Sequence, residues 1–411
     1  MQNFLYKLEK SFAILGLLFF SGAFGEALPA LISPIRYLVW GGSIALILLR
    51  WRSSLHTARR DIILWILSVI ILLSFLWSHL PAFTIRDNRE VIQMACFGLY
   101  FAARYTIKEQ IYLVAWTLGI GAIGSIIFAL AVPSVGIHQL DHPGAWKGLY
   151  GYKNNLGSMM VLSAFTFFLL PIRYTNRFYK WAGFGLSIAV MLLSTSKTSL
   201  VVSILIIAIL VFYRNFRWEG KVTVFFLDIF ILGLASLVLL VFTNWVELLT
   251  TLGKDPTLTG RTPMWGVAFM RLMDKPLLGY GRGAFWAPGS HYAREAGRAV
   301  SNGFVPPHIH NGFIDLALDV GFIGFVLFLI SFLIAYSRAL KQAYATDSTE
   351  NIWYLGFLMF LFMNNMTESY LLFKSNIYWV LYMTTALSAM KTYPVFKGFI
   401  KKESNVLAST S

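Results

Sequence analysis

Charge is what this sequence has least of: Asp, Glu, Lys and Arg make up 13% of its 411 residues, where soluble domains carry about 25%. A chain of this size cannot cover a water-facing surface with so little charge, which excludes a soluble globular protein. Acids are scarcer than bases, 19 against 34, leaving a net charge of +15. In a soluble chain that excess would suggest nucleic acid. In an apolar chain it asks which side of a membrane the cations occupy, so no nucleic-acid partner is expected. The single cysteine, Cys96, lies in an apolar run, which excludes an intrachain disulfide, a CxxC redox pair and a zinc finger. A cleavable leader is also not expected, because the first apolar run leads straight into a second and reads as a retained helix.

What is abundant is hydrophobic side chains, 57% of the total. Crossing about 30 Å of hydrocarbon takes roughly 20 apolar residues per helix, and runs such as LVVSILIIAILVFY and VTVFFLDIFILGLASLVLLVF recur along the chain. The expected fold is an all-α polytopic membrane protein, one integral domain over residues 1–411. Twelve transmembrane helices are expected, near 11–32, 35–50, 61–79, 90–103, 110–132, 155–172, 181–196, 199–213, 222–243, 311–337, 351–370 and 375–391. With both termini inside, the inner segments hold 20 of the 34 Lys and Arg residues, and 7 of the other 14 sit in one long loop. The positive-inside rule therefore puts both termini in the cytoplasm. Residues 244–310, between spans nine and ten, become a long, partly helical outer loop. Within it MWGVAFMRLM, 264–273, reads as an amphipathic interfacial helix. No solenoid repeat or transporter-like inverted repeat is evident.

Polar residues in such a chain are the candidates for chemistry. PPHIHNGFIDLALDVGFIGF, 306–325, carries the loop into the tenth span. His310 stands at that entry, where helix amides lack partners, and the ordinary imidazole pKa of about 6.5 suits a general base. The same histidine could instead buttress loop against helix. His308 could form an HxH metal pair with it, but Asp315 and Asp319 are i, i+4 neighbours within the helix, so no metal is expected. Arg261 follows a glycine in TLTGRTPMW and Arg282 lies in GYGRG; guanidinium binds phosphate and diphosphate bidentately. The GYGRG glycines have no βαβ context and are not a dinucleotide fingerprint. Lys197 centres a short outer turn, STSKTSL, and snorkelling would explain it as well as an anion. Lys153, Asn154 and Asn155 in GYKNNLG share that side, where such residues also serve as caps. A cavity lined by these cations and one titratable base suits an anionic, lipid-linked substrate.

His310-Asn311, then Gly321 and Gly324, with Thr259-Gly260-Arg261 upstream, resembles the histidine motif of the O-antigen ligase family, which also includes O-antigen polymerases and oligosaccharyltransferases. With the long loop and the helical layout, the resemblance covers most of the chain. It implies a multi-pass protein of the bacterial inner membrane whose active site faces the periplasm. The activity implied is cofactor-free, metal-independent, inverting glycosyl transfer from an undecaprenyl-diphosphate-linked glycan to a hydroxyl of the lipid A core. By position His310 would be the base and Arg261 would hold the diphosphate. The family's second arginine falls at Lys197, which keeps the charge but not the bidentate fork, so Arg282 or Lys153 would share that role. Asn311, Asn154 and His308 would support the site. A polymerase of the same family, acting on another glycan acceptor, is the alternative. A secondary transporter of a small anion is a further one, but Asp228, the clearest intramembrane acid, has no obvious partner. A scaffold role is the third, and predicts no function for His310 or Arg261.

Overall fold

The computed structural model describes residues 2–140, 142–172, 176–215, 221–243, 261–345 and 348–389. Thr259 and Gly260, with the rest of 244–260, and the basic tail beyond 389 lie outside them. The helices are α1 (Gln2–Ser21), α2 (Pro29–Leu49), α3 (Trp51–Ala58), α4 (Ile62–Leu73), α5 (Pro81–Arg104), α6 (Ile107–Ala131), α7 (Pro133–Gly136), α8 (Lys153–Leu169), α9 (Arg177–Leu193), α10 (Lys197–Asn215), α11 (Lys221–Thr243), α12 (Arg261–Asp274), α13 (His291–Arg298), α14 (Gly312–Ala345), α15 (Trp353–Asn365) and α16 (Ile377–Ser388). Among the described residues there is no strand, only an isolated bridge between Ile137 and Trp146.

The expected apolar stretches fall on helices, except that 11–32 runs across the turn between α1 and α2, and among the described residues four helices are long and apolar enough to cross a membrane by length and composition alone: α2, α6, α10 and α14. The helices α4, α8, α9, α15 and α16 have 12, 17, 17, 13 and 12 residues. Two boundaries differ in an informative way. The first helix begins at Gln2 rather than near 11, because its charged first turns are paired: Glu9 meets Arg104 at 2.7 Å and Arg50 at 3.9 Å. The helix α15 stops at Asn365 rather than 370, because the Asn365 Oδ1 accepts the amides of Tyr370 and Leu371 at 2.9 and 3.0 Å and folds the chain into a turn.

Helices α15 and α16 form the centre, with Trp353, Phe357, Trp379 and Tyr382 fully buried. Around them, α2, α6 and α11 turn Leu38, Leu48, Ile123, Ile127, Phe226 and Phe230 outward. Apolar strips of that extent need an apolar surround, and with the four crossing helices they define a membrane protein.

The helix α14 is broken at Gly321, whose φ of +67° and ψ of −172° are not helical. A break frees carbonyls before it and amides after it, and each unpaired group away from water costs several kcal/mol. The segment 276–281 pairs them. Tyr280 N and Gly281 N donate to the Leu318 and Asp319 carbonyls at 2.8 and 3.0 Å, while Phe322 N and Ile323 N donate to Pro276 and Leu277 carbonyls at 2.7 and 3.2 Å. The backbones approach so closely that a Cβ on Gly321 would lie 2.1 Å from the Leu277 oxygen, and one on Gly279 would lie 2.4 Å from that of Leu318. Asp315 and Asp319 complete the attachment, accepting from Trp286 Nε1 at 2.6 Å and Gly283 N at 2.8 Å. The 264–273 stretch is helical as expected, burying Met264, Ala268 and Leu272 at spacing four.

Gly321→Ala combines a disfavoured φ with a backbone clash and is expected to lower stability by about 2–4 kcal/mol. Gly41→Ala, where an added Cβ meets nothing within 4 Å, serves as the control. Thermal unfolding of the two purified variants in one detergent reads the difference, and equal midpoints would contradict the backbone pairing.

Candidate functional site

The site grows from the start of α14. Asn311 caps that helix, its Oδ1 accepting from Phe313 N at 3.1 Å and Ile314 N at 3.2 Å. The next free amides go to the turn after α15: Asn311 N donates to Ser369 Oγ at 3.1 Å and Gly312 N to the Glu368 carbonyl at 3.1 Å. The preceding residue, His310, has φ of +57°, a left-handed conformation costing on the order of 1–2 kcal/mol outside glycine. Its amide donates to His308 Nδ1 at 3.2 Å, and Trp265 Nε1 of α12 holds the Ile309 carbonyl at 3.0 Å. Loop, helix start and turn thereby fix one imidazole.

That imidazole meets Glu368. His310 Nδ1 and Glu368 Oε2 are 3.1 Å apart, and Glu368 is 6% exposed. The other carboxylate oxygen accepts from Asn154 Nδ2 at 2.7 Å, with Arg261 Nη2 at 3.8 Å. Arg261 is steadied by Nη1 donating to the Thr367 carbonyl at 3.3 Å. Asn154 accepts from Ser196 Oγ at 3.0 Å, so the starts of α8 and α10 converge here and the charges of Lys153 and Lys197 act on each other. Thr195, before that serine, also has a positive φ, 52°.

Burial alone would raise the Glu368 carboxyl, but the hydrogen bond from His310 and the charges of His310 and Arg261 outweigh it and hold the group below its ordinary range. An ionised Glu368 takes the Nδ1 proton of His310 as its hydrogen bond, which leaves Nε2 with a free lone pair. His308 is lowered to about 4, first by burial and then by the charges of His310 and Arg261. It is therefore neutral near pH 7, consistent with Nδ1 accepting the His310 amide.

The structure gathers His310, His308, Arg261 and Asn154 around Glu368, with Asn311 as the cap beneath them, while Lys153 and Lys197 stand at the starts of α8 and α10. Arg282 is elsewhere. Its guanidinium is 2% exposed, donates from Nη2 to the Leu372 carbonyl at 2.9 Å and lies 4.0 Å from Glu90. There it braces the 366–376 turn against α5. The residue missed in the sequence is Glu368, which a span drawn to 370 hid inside hydrocarbon. It is the one acid of the last outer turn in NNMTESYLLFKSN, and an acid placed within a span is itself a functional signal.

His308, His310 and Glu368 also bring potential metal-ligand atoms within 4.8 Å of one another. His310 and Glu368 already share a hydrogen bond, His308 Nδ1 accepts the His310 amide, and the Arg261 guanidinium, 3.8 Å from Glu368, puts a fixed positive charge beside the carboxylate. The donor set fits an oriented imidazole better than a metal centre.

An imidazole, a carboxylate that orients it and an arginine thus meet at the start of α14. Residues 182–329, which include His310, Asn311, Gly321, Gly324 and Arg261, match the family model described as O-Antigen ligase, in line with the resemblance seen in the motifs. The chain is also 25% identical over 341 residues to the exopolysaccharide production protein ExoQ of Rhizobium meliloti (strain 1021), covering 80% of this chain and 75% of that protein.

Because the folded state lowers His308 to about 4 from an ordinary 6.5, the unfolded chain binds the extra proton between those values. Stability is then full above pH 6.5 and is lost as pH falls toward 4, at no more than about 1.4 kcal/mol per unit. Glu368, held below its ordinary 4.5, adds its loss as pH falls below about 4.5, at the lower end of that window. Unfolding midpoints between pH 7.5 and 4.5 should show a slope that His308→Gln flattens, and an unchanged slope would contradict the assignment.

Proposed function

We propose that the protein is a glycosyltransferase of the ligase and polymerase type, moving a glycan from a polyprenyl diphosphate, undecaprenyl diphosphate in bacteria, to an acceptor hydroxyl. The observation that carries this is the His310–Glu368 pair beside Arg261. His310 Nε2 takes the acceptor proton as the hydroxyl oxygen attacks the anomeric carbon from the face opposite the diphosphate. The carbon–oxygen bond to diphosphate breaks, the leaving group keeps the electron pair, and the configuration inverts. Glu368 holds the imidazole and stabilises its protonated form, a contribution of about 10²-fold to 10⁴-fold for a positioned base. Arg261, with Lys197 and Lys153, balances the charge that grows on the diphosphate. No metal is required in this scheme.

The proposal places the protein in the bacterial inner membrane with twelve spans, both termini cytoplasmic and residues 244–310 in the periplasm. For the acceptor, the family description favours a ligase, and by the motif resemblance its acceptor would be the lipid A core. The relative's role in exopolysaccharide production favours a polymerase acting on a second lipid-linked glycan.

The test is transfer by purified protein given a polyprenyl-diphosphate glycan and each acceptor in turn. His310→Ala and Arg261→Ala are expected to abolish transfer without loss of folded protein, and a chelator is expected to leave the rate unchanged. Lys197→Arg should keep activity and Lys197→Ala reduce it. Transfer at the parent rate in His310→Ala would overturn the base assignment.

A further inference from the structure

A cavity opens beside the turn that carries Glu368. It has a volume of about 310 Å³ and lies between α2 and α5, closed at one side by the 366–376 turn. Four cations line it, Arg36 from α2, Arg86 and Arg89 from α5 and Lys374 from the turn, against two acids, Asp87 and Glu90.

The acids are already engaged. Glu90 accepts from Ser375 N at 3.0 Å and is approached by Arg36 at 3.9 Å and by Arg282 at 4.0 Å from behind the wall. Asp87 lies 3.6 Å from its neighbour Arg86, whose side chain is 57% exposed. Arg89 and Lys374 are exposed and have no acid within 4 Å among the described residues. Two buried polar atoms on this cavity, Arg36 Nε and Gln93 Oε1, also lack a hydrogen-bond partner among the described residues.

Four lining cations less two acids leave an excess of two positive charges. A phosphate monoester carries about 1.5 to 2 negative charges near pH 7 and three acceptor oxygens. The surroundings say what such a group would be attached to: α2 beside the cavity turns Leu31, Tyr37 and Leu38 outward at 44, 56 and 57% exposure, an apolar strip of the kind that faces acyl or prenyl chains.

The cavity adjoins the histidine cluster. Phe373, next to Lys374, packs its ring edge-on to His308 at 5.7 Å. The same turn thus presents Glu368 to His310 on one side and Lys374 to the cavity on the other.

We propose that the cavity between α2 and α5 is a second anion site, which holds the phosphate headgroup of a lipid, separate from the Arg261 cluster. On the transfer reaction proposed above, that lipid is the acceptor, anchored by its phosphate so that a sugar hydroxyl reaches His310.

Native mass spectrometry of the full-length protein in detergent, with polyprenyl monophosphate as the probe, tests the site without requiring transfer. The parent should bind two molecules. R86Q/R89Q/K374Q should bind one, with the lost site weakened at least about tenfold, as expected when charge-assisted hydrogen bonds are removed. Arg89→Gln alone, a change at one exposed side chain, should weaken the same site and covers the case in which the triple variant fails to fold. Parent-like binding in folded triple variant or in Arg89→Gln would overturn the proposal. Inorganic phosphate at the same concentration should not displace the probe, and equal displacement would overturn the lipid assignment in favour of a free anion. Arg261→Gln should lose the other bound molecule and keep this one. Failure of that arm alone counts against the donor site proposed above and leaves the second site standing. With a working transfer assay, the triple variant should raise KM for the acceptor and leave KM for the donor unchanged.

Discussion

The architecture of this protein turns on a broken helix. Once α14 gives up helical geometry at Gly321, two carbonyls and two amides need partners where water is scarce. The 276–281 backbone supplies all four. That exchange docks the segment after α12 onto α14, and the Trp265 indole then ties α12 itself to the residue before His310. Arg261 begins α12 and reaches the turn after α15. Three pieces distant in sequence thus meet because one glycine cannot continue a helix without help from its neighbours.

Around that frame the site uses polar groups twice, once to finish the fold and once for chemistry. The Glu368 carbonyl closes the start of α14 while its carboxylate orients His310. Asn154 opens α8 and also fills the second carboxylate oxygen. A buried carboxylate with this many donors stays ionised despite its burial, and an ionised partner fixes which imidazole nitrogen is free.

Much of this was legible in the sequence. Charge scarcity and apolar runs point to the all-helical membrane class, and the motifs mark His310, Arg261 and Asn154, which the fold brings together at Glu368. Three things were hidden. Glu368 was masked because hydropathy cannot see that an asparagine side chain, Asn365, ends a helix five residues early. Arg282 looked like a phosphate ligand because guanidinium chemistry is the same in a site and in a brace; only its burial against Leu372 and Glu90 separates the two. The glycines of GYGRG stood out, but the reason for the first, Gly279, a close approach to the break in α14, depends on a contact about 40 residues away.

The central claim is that a carboxylate-oriented imidazole is the base. The most direct measurement is the pH profile of glycan transfer for the parent and for Glu368→Gln, with donor binding measured alongside. If the pair works as described, the variant keeps donor affinity, loses roughly 10-fold to 10³-fold in rate, and shows a shifted limb for the basic group. A Glu368→Gln protein with the parent rate and an unaltered profile would contradict the account.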